Sequence, residues 1–479
     1  MTNYIKTARI GNFSGITALL SLIIVVLMFT GCGGSSKYKV SGQVTKGGVG
    51  VEGQTVTLEG PGSPKPATTD IHGNFSFEGL SEGHYTLKPT TTDPLLTFTP
   101  AFRDVFLFGF DALDFNFSGK IEGALAASDH SVYVQSAGTV KAWGKNDKGQ
   151  LGDGTTTDRT APVTIAGLPN LKAVAAGGSH TVALDTDGKV WTWGSNSNGQ
   201  LGDNSTNNKA TPAQVTGLPT VKAIAAGRDH TVVLDEDGTV WAWGKNDLGQ
   251  LGDGTIIEQH APKRIPAFSN INVTAIAAGD SHTVFLKSDK TVLAVGANVS
   301  GQLGNGTGIN SLTPVAVSGI ATAIGISAGD MYTAVLKIDG TVWVCGVNNK
   351  GQLGIGVVSD NSLTPVQVRD LTGVTLISAG NQHVVAMKSD GTVWTWGSNS
   401  NGQLGIGDLT VTSSAVPKSA GLTGITAGLT GIISVEAGDD YTLALDKDLK
   451  LWAWGSNSNG RLGDGTIVDK STPTAIPIP

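Results

Sequence analysis

Cysteine is almost absent: two residues in 479, Cys32 and Cys345, which excludes a disulfide framework. Charge is scarce too, at 15% of residues against a usual ~25%. The 32 basic residues are outnumbered by 39 acidic ones, for a net charge of −7. A general nucleic-acid binder, whose affinity rests on a basic surface, is therefore not expected. No segment of the repeats described below sustains helical periodicity. The apolar run Ile16 to Phe29 is too short to cross a ~30 Å hydrocarbon core comfortably. No Gly-x-x-x-x-Gly-Lys-Ser/Thr loop is present to cradle phosphate, and no cofactor is expected. What abounds is glycine, 67 residues, twice the ordinary ~7%. With 39% apolar residues and ten tryptophans, the chain is not a disordered polymer, so the glycines serve tight turns. At ~100–200 residues per domain, the length predicts two to four domains or one large repeat array.

Lys6 and Arg9 precede the apolar run, and Phe29-Thr30-Gly31-Cys32 follows it. This order resembles a bacterial lipoprotein signal peptide with its lipobox. The resemblance implies that residues 1–31 are removed and that Cys32 is diacylated as the mature N-terminus, with 32–37 as a linker. An ordinary signal peptide with an incidental cysteine is the alternative. Without Lys6 and Arg9 the mature chain carries 30 basic and 39 acidic residues, a net charge of −9. Acylation would make the protein exported and membrane-anchored through Cys32 rather than membrane-spanning. Gly33 after the cysteine favours the outer membrane if the host has one.

Residues 38–118 read as short strands with turn punctuation: Lys39 to Val44, Gln54 to Leu58, Asn74 to Phe77, His84 to Leu87, Val105 to Phe108 and Asp114 to Phe117. The run Thr69 to Leu80, followed by Gly83-His84-Tyr85, resembles the carboxypeptidase regulatory-like, transthyretin-like domain. That resemblance implies a small β-sandwich accessory, here a spacer. His72 and His84 lack a third ligand at metal spacing and are expected in turns or at the surface. The aromatic stretch Phe98 to Phe117 is read as closing strands or a domain contact, with an exposed sticky patch as the alternative.

The rest repeats. Gly-Gln-Leu-Gly begins at Gly149, Gly199, Gly249, Gly301, Gly351 and Gly402, and Gly460-Arg461-Leu462-Gly463 is a seventh copy; the spacings are 50, 50, 52, 50, 51 and 58 residues. Each copy is preceded by two alternating runs, as in Thr181 to Leu184 and Val190 to Trp193, joined through Asp187-Gly188 as a hairpin. Seven all-β units of this size predict four-stranded sheets packed around an axis. The units resemble the regulator of chromosome condensation repeat, which implies a seven-bladed β-propeller over 119–479. The first copy lacks a full preceding strand and the last ends on one. The C-terminal segment is therefore expected to pair within the first blade and seal the ring.

A catalytic group is needed once, whereas a residue recurring in every copy holds the copies together. His130, His180, His230, His282 and His383 share a position taken by Tyr332 and Tyr441 in the other copies, so a hydrogen-bonding role is expected and a proton shuttle is not. The pairs Trp191/Trp193, Trp241/Trp243, Trp394/Trp396 and Trp452/Trp454 are expected to pack between blades, with ligand stacking as the alternative. Val295 and Cys345 replace the second tryptophan in two copies, so Cys345 is expected to be a buried thiol. Asp185 to Gly188 and Asp235 to Gly238 suggest hairpin turns, since the spaced acidic loop of a calcium site is missing. No catalytic residue and no metal ligand is proposed.

Function is expected where copies differ. The loops 155–160, 205–210, 255–260, 307–312, 357–363, 408–415 and 466–471 occupy one repeat position and should share one face. Their candidate binding residues are Asp158, Arg159, Asn208, Glu258, Gln259, His260, Asp360 and Asp469. With no aromatic and only Arg159 of the usual anchoring types, a polar interaction is expected. The longer seventh spacing holds Gly421 to Gly431, an inserted loop that is either functional or merely tolerated. The leading reading is a non-enzymatic, envelope-anchored scaffold that binds a protein or a cell-wall polymer. The alternatives are an inhibitor of a secreted enzyme such as a β-lactamase, by resemblance to an exported member of the repeat family, and a wall-acting hydrolase or lyase. Nucleotide exchange on a cytoplasmic GTPase, the activity of the family's namesake, is not expected of an exported chain.

Overall fold

The computed structural model describes residues 124–478 except 136–137, 269–270, 422–428 and 430, together with nine strands between residues 19 and 107. Cys32, His72, the Asp114 to Phe117 run and most of the seventh-repeat insertion lie outside the described residues. The chain divides into two units, Met1–Ile121 and Glu122–Pro479.

The described strands of the first unit form two sheets. One carries Lys37–Lys46 at its centre, flanked by Asn74–Leu80, Val49–Gly50 and Leu19–Phe29; the other orders Lys65–Thr68, Thr55–Glu59, Gly83–Thr90 and Arg103–Leu107. Leu19–Phe29 of the apolar run is thus a strand, antiparallel to Lys37–Lys46, as its β-branched Ile23 to Val26 favour. His84 lies in a strand opposite Phe106 rather than in a turn.

The second unit is a seven-bladed β-propeller of four-stranded antiparallel sheets, each a simple meander. The first blade comprises Ala124–Ala127, His130–Val134, Val140–Gly144 and Arg159–Ile165, and the seventh comprises Ile432–Ala437, Tyr441–Asp446, Leu451–Gly455 and Lys470–Ile476. The first strands meet around the axis, and small residues such as those of Leu171–Ala176 suit that crowding. The second strand, as in His180–Asp185, is buried throughout, while the fourth, as in Lys209–Gln214, lies at the periphery with no buried residue. The core is therefore seven clusters set between blades rather than one centre. Val140 and Ala142 of blade 1 pack with Ala183 and Trp193 of blade 2, and Trp143 of blade 1 packs with Leu443 of blade 7.

Each third strand ends in a bulge at its Trp-Gly step, or the equivalent. Gly194 there has φ +100°, and a Cβ on it would stand 2.5 Å from the Ser179 carbonyl and 2.8 Å from His180 Cα. Only glycine fits.

The ring does not close as expected. Lys470–Ile476 pairs with Leu451–Gly455 of its own blade, and the first blade is complete because the four residues Ala124–Ala127 suffice for its inner strand. A turn one residue shorter sets their register: Ala127 faces Ser131, where Ala176 faces Thr181 in the next blade. The seam instead uses the bonds found between other neighbours. Trp143 Nε1 donates to the Arg461 carbonyl at 2.9 Å, as Trp193 Nε1 donates to that of Gln150 at 2.8 Å. Gly465 N donates to Thr160 O, as Gly154 N donates to Ala210 O, both at 2.9 Å.

Candidate functional site

The repeated polar residues join blade to blade. Thr181 Oγ1 donates to the Gln150 carbonyl at 2.8 Å, and His130 Nε2 stands 2.6 Å from the same hydroxyl. Because the threonine proton goes to a carbonyl, which only accepts, the hydrogen between His130 and Thr181 must come from Nε2. The imidazole is then neutral with Nδ1 bare. His180, His230, His282 and His383 repeat the contact on Thr231, Thr283, Thr333 and Thr442 at 3.0 Å, and all five Nδ1 atoms lack a partner. Burial drives these pKa values down, to about 4 for His130 and about 3 for His180. Cys345 is likewise buried in the wall, its thiol pushed up to about 12 by burial. The second tryptophans are buried between blades, and Trp191 Nε1 donates to Asp185 Oδ2 at 3.0 Å. Asp185 Oδ1 accepts from the backbone of Asp187 and Lys189, which makes the Asp-rich run a hairpin turn.

A second repeated residue escaped sequence reasoning: the asparagine three places before each tetrapeptide. Asn146 is fully buried. Its Oδ1 accepts from Leu151 N at 3.0 Å, and its Nδ2 lies 3.1 Å from Asp153 Oδ1, 3.1 Å from Thr155 O and 3.0 Å from Thr157 O. It folds the variable loop onto the blade. Its recurrence as Asn-x-x-Gly in all seven copies was the available signal.

All seven variable loops leave the third strands beside the first-to-second-strand turns, since His180 pairs with Gly194, so they share one face as expected. They encircle the mouth without converging. Asp158, Asn208 and Asp469 occupy one position and accept from the backbone N of Asn146, Asn196 and Asn457 at 2.8, 2.9 and 2.7 Å. Asp158 also accepts from Asn459 Nδ2 across the seam at 2.8 Å. Arg159 pairs with Asp153 at 2.6 Å, and His260 lies 2.8 Å from Glu258 Oε1. Gln259 donates to the Ile257 carbonyl at 3.1 Å, and the Asp360 carbonyl accepts from Ser359. The loops are less polar than expected. Ile256, Ile257, Ile309, Val358 and Ile467 are between 55% and 74% exposed. Blades 1 and 2 carry Thr156, Thr157, Thr206 and Asn207 at the same place.

At the centre of this face is a cavity of about 350 Å³, lined by the first-to-second-strand turns. The position two before each His or Tyr, hidden in the sequence as turn residues, becomes a ring: Ser128, Gly178, Arg228, Asp280, Asp330, Asn381 and Asp439. Arg228 pairs with Asp280 at 3.0 Å, while Asp129 holds Lys145 and Arg461, each at 3.1 Å. Burial, then the neighbouring Asp280, pushes Asp330 up to about 7; burial, then Asp129, does the same to Asp439. Glu436 on the inner strand of blade 7 is pushed up to about 8 by burial beside Ser378. No group of three or more potential metal ligands occurs among the described residues, and no helix among them is long and apolar enough to cross a membrane.

A seven-bladed propeller whose repeated side chains bond neighbouring blades, and whose variation gathers on one face, defines a repeat-built scaffold. The chain belongs to the RCC1-like domain family, which it matches over residues 167–479, and residues 137–184 match the regulator of chromosome condensation (RCC1) repeat. It is similar to the human probable E3 ubiquitin-protein ligase HERC3, with 39% identity over 210 residues, 43% of this chain and 20% of that protein. It is also similar to the ultraviolet-B receptor UVR8 of Arabidopsis thaliana, with 32% identity over 221 residues, 45% of this chain and 48% of that one. The chain thus spans a fifth of the first relative and about half of the second. Among solved structures, Prp20p of Saccharomyces cerevisiae matches with a TM-score of 0.63 and 25% identity, over 74% of this chain and 88% of its own. Human WBSCR16 shares the fold with a TM-score of 0.63 and 23% identity, over 71% of this chain and 94% of that one.

Proposed function

We propose that this protein is an exported lipoprotein, anchored through an acylated Cys32, that presents its propeller to a protein partner. One observation carries the scaffold reading: the recurring His, Thr, Trp and Asn side chains are engaged in bonds between and within blades, so what differs between copies is displayed on one face. Protein binding is in keeping with the similar Prp20p, whose structure is described with its binding to Gsp1p and histones. The address rests on the basic residues, apolar run and Cys32 of the N-terminus. Residues 38–118 serve, in this reading, as a carboxypeptidase regulatory-like spacer, and export separates the propeller from cytoplasmic GTPases. The membrane is the outer one if the host has one.

Two measurements test it. Labelled palmitate should enter the wild-type protein and not Cys32→Ala. The propeller should recover one envelope protein that a variant with Gly-Ser in the seven loops does not. No labelling removes the anchor. Loop-independent recovery removes the scaffold, and turnover of a wall polymer would replace it with an enzyme.

A further inference from the structure

Two features share the variable face: aliphatic tips on five consecutive blades and a mouth with more carboxylates than cations. Soluble monomers seldom expose many large aliphatics on one face without a use for them. Here they come at two adjacent loop positions: Ile257 at 65% and Ile309 at 74% exposed at one, and Val358 at 55%, Leu409 at 56% and Ile467 at 66% at the place just before it. Asn246 and Asn298 grip the backbone carbonyls of Ile257 and Ile309 at 3.0 Å, so these tips are held outward rather than left to collapse onto the blade. Blades 1 and 2 break the series with threonine and asparagine, which leaves an arc and gives a bound partner one orientation.

The chemistry of the occupant follows from the mouth. Arg228 is taken by Asp280, and Lys145 by Asp129. Asp330 and Asp439 face the same cavity, and neither has a salt-bridge partner within 4.0 Å among the described residues. A positive group entering there meets two carboxyls that no cation holds, Asp439 being engaged only by the Ser128 hydroxyl at 2.9 Å and Asp330 lying beside Asp280, and it breaks no existing ion pair. An anionic group would meet Arg228, Lys145 and Lys148, each already held by an aspartate. The cavity, at about 350 Å³, admits side chains rather than a folded element.

Resting on the scaffold reading, we propose that this face receives a protein loop or terminus tipped with lysine or arginine, which enters the mouth beside Asp330 and Asp439 while its apolar flanks lie on the aliphatic arc of blades 3 to 7. The arc supplies contact area, and the mouth supplies selectivity for positive charge.

The test uses the full chain and a fluorescein-labelled cyclic hairpin peptide with Lys-Arg at its turn and Leu and Val on its flanks, against the same peptide with Glu-Asp at the turn. Anisotropy should show saturable binding of the Lys-Arg peptide, at least tenfold tighter than the Glu-Asp one. D330N/D439N should weaken it about tenfold and abolish the preference. I257S/I309S/V358S should weaken both peptides and leave the preference intact. All these positions are at the surface or cavity wall, and melting curves of each variant confirm folding. Equal affinity for the two peptides, no binding of either, or an unchanged D330N/D439N overturns the proposal. An envelope partner recovered through the loops but indifferent to D330N/D439N sinks this inference and leaves the scaffold standing. Peptide binding with no such partner does the reverse.

Discussion

The Tyr332 hydroxyl lies 2.6 Å from the His383 carbonyl, and the residue it faces in the next blade is Val384, where five of the other blades have threonine. Where the copy carries histidine, the facing residue is always threonine; where it carries tyrosine, it is Val384 or, at the seam, Ser131. The longer phenol of Tyr332 reaches past the missing hydroxyl to the backbone; Tyr441 also donates to a backbone carbonyl, that of His130 at 2.9 Å, with the Ser131 hydroxyl 2.6 Å from its own. Tyr332→His should therefore leave Nε2–H facing a valine and destabilise by ~1–3 kcal/mol, the cost of an unsatisfied buried donor. Tyr332→His with Val384→Thr should recover most of it. Denaturant melts of the four-member cycle measure the coupling, and additivity would refute the compensation.

Gly177 makes a sharper prediction. A Cβ there would overlap the His180 ring and sit 2.5 Å from the Gly227 carbonyl of the next blade. Gly177→Ala should cost more than ~2 kcal/mol. Gly177→Ala with His180→Ala should not return to the level of His180→Ala alone, because the backbone obstacle remains. Thermal unfolding of the three variants decides it.

Much of this was open to sequence reasoning, and the reason is repetition. The Val190–Gly194 hairpin strand, the His/Tyr position and the inter-blade tryptophan position could be read because each position recurs in seven copies, the last with tryptophan in five of them and Val295 and Cys345 in the other two. The seam could not, since a four-residue inner strand such as Ala124–Ala127 resembles a truncated one until its register with His130–Val134 is known. Asp280, Asp330 and Asp439 read singly as ordinary turn residues, and only the closed ring brings them to one axis. Ile256 and Ile257 are hard to read for the opposite reason: two aliphatics inside a loop, next to the charged Glu258, carry no periodicity.

The seam predicts equivalence. If blades 7 and 1 are joined by the same bonds as blades 1 and 2, Trp143→Ala and Trp193→Ala should cost alike, each ~3–5 kcal/mol. A much smaller loss at Trp143, read by chemical denaturation, would mean that the ring is open there.

Acid should loosen the propeller, with a sign that can be worked out. The buried histidines have folded pKa values far below the ordinary imidazole value of 6.5, so between about 4 and 6.5 the unfolded chain binds more protons. Their contribution is whole above 6.5 and is lost as pH falls. Asp330 and Asp439 work the other way: raised to about 7, they favour the fold at low pH and oppose it as pH rises through 7. D330N/D439N should thus melt higher than wild type at pH 8, with that advantage shrinking by pH 5, and the wild-type melting temperature should fall more gently on acidification than the variant's. A pH series of melting curves from 5 to 8 tests both slopes. Parallel curves would mean that the two carboxyls titrate normally and that the mouth is wetter than its enclosed geometry indicates.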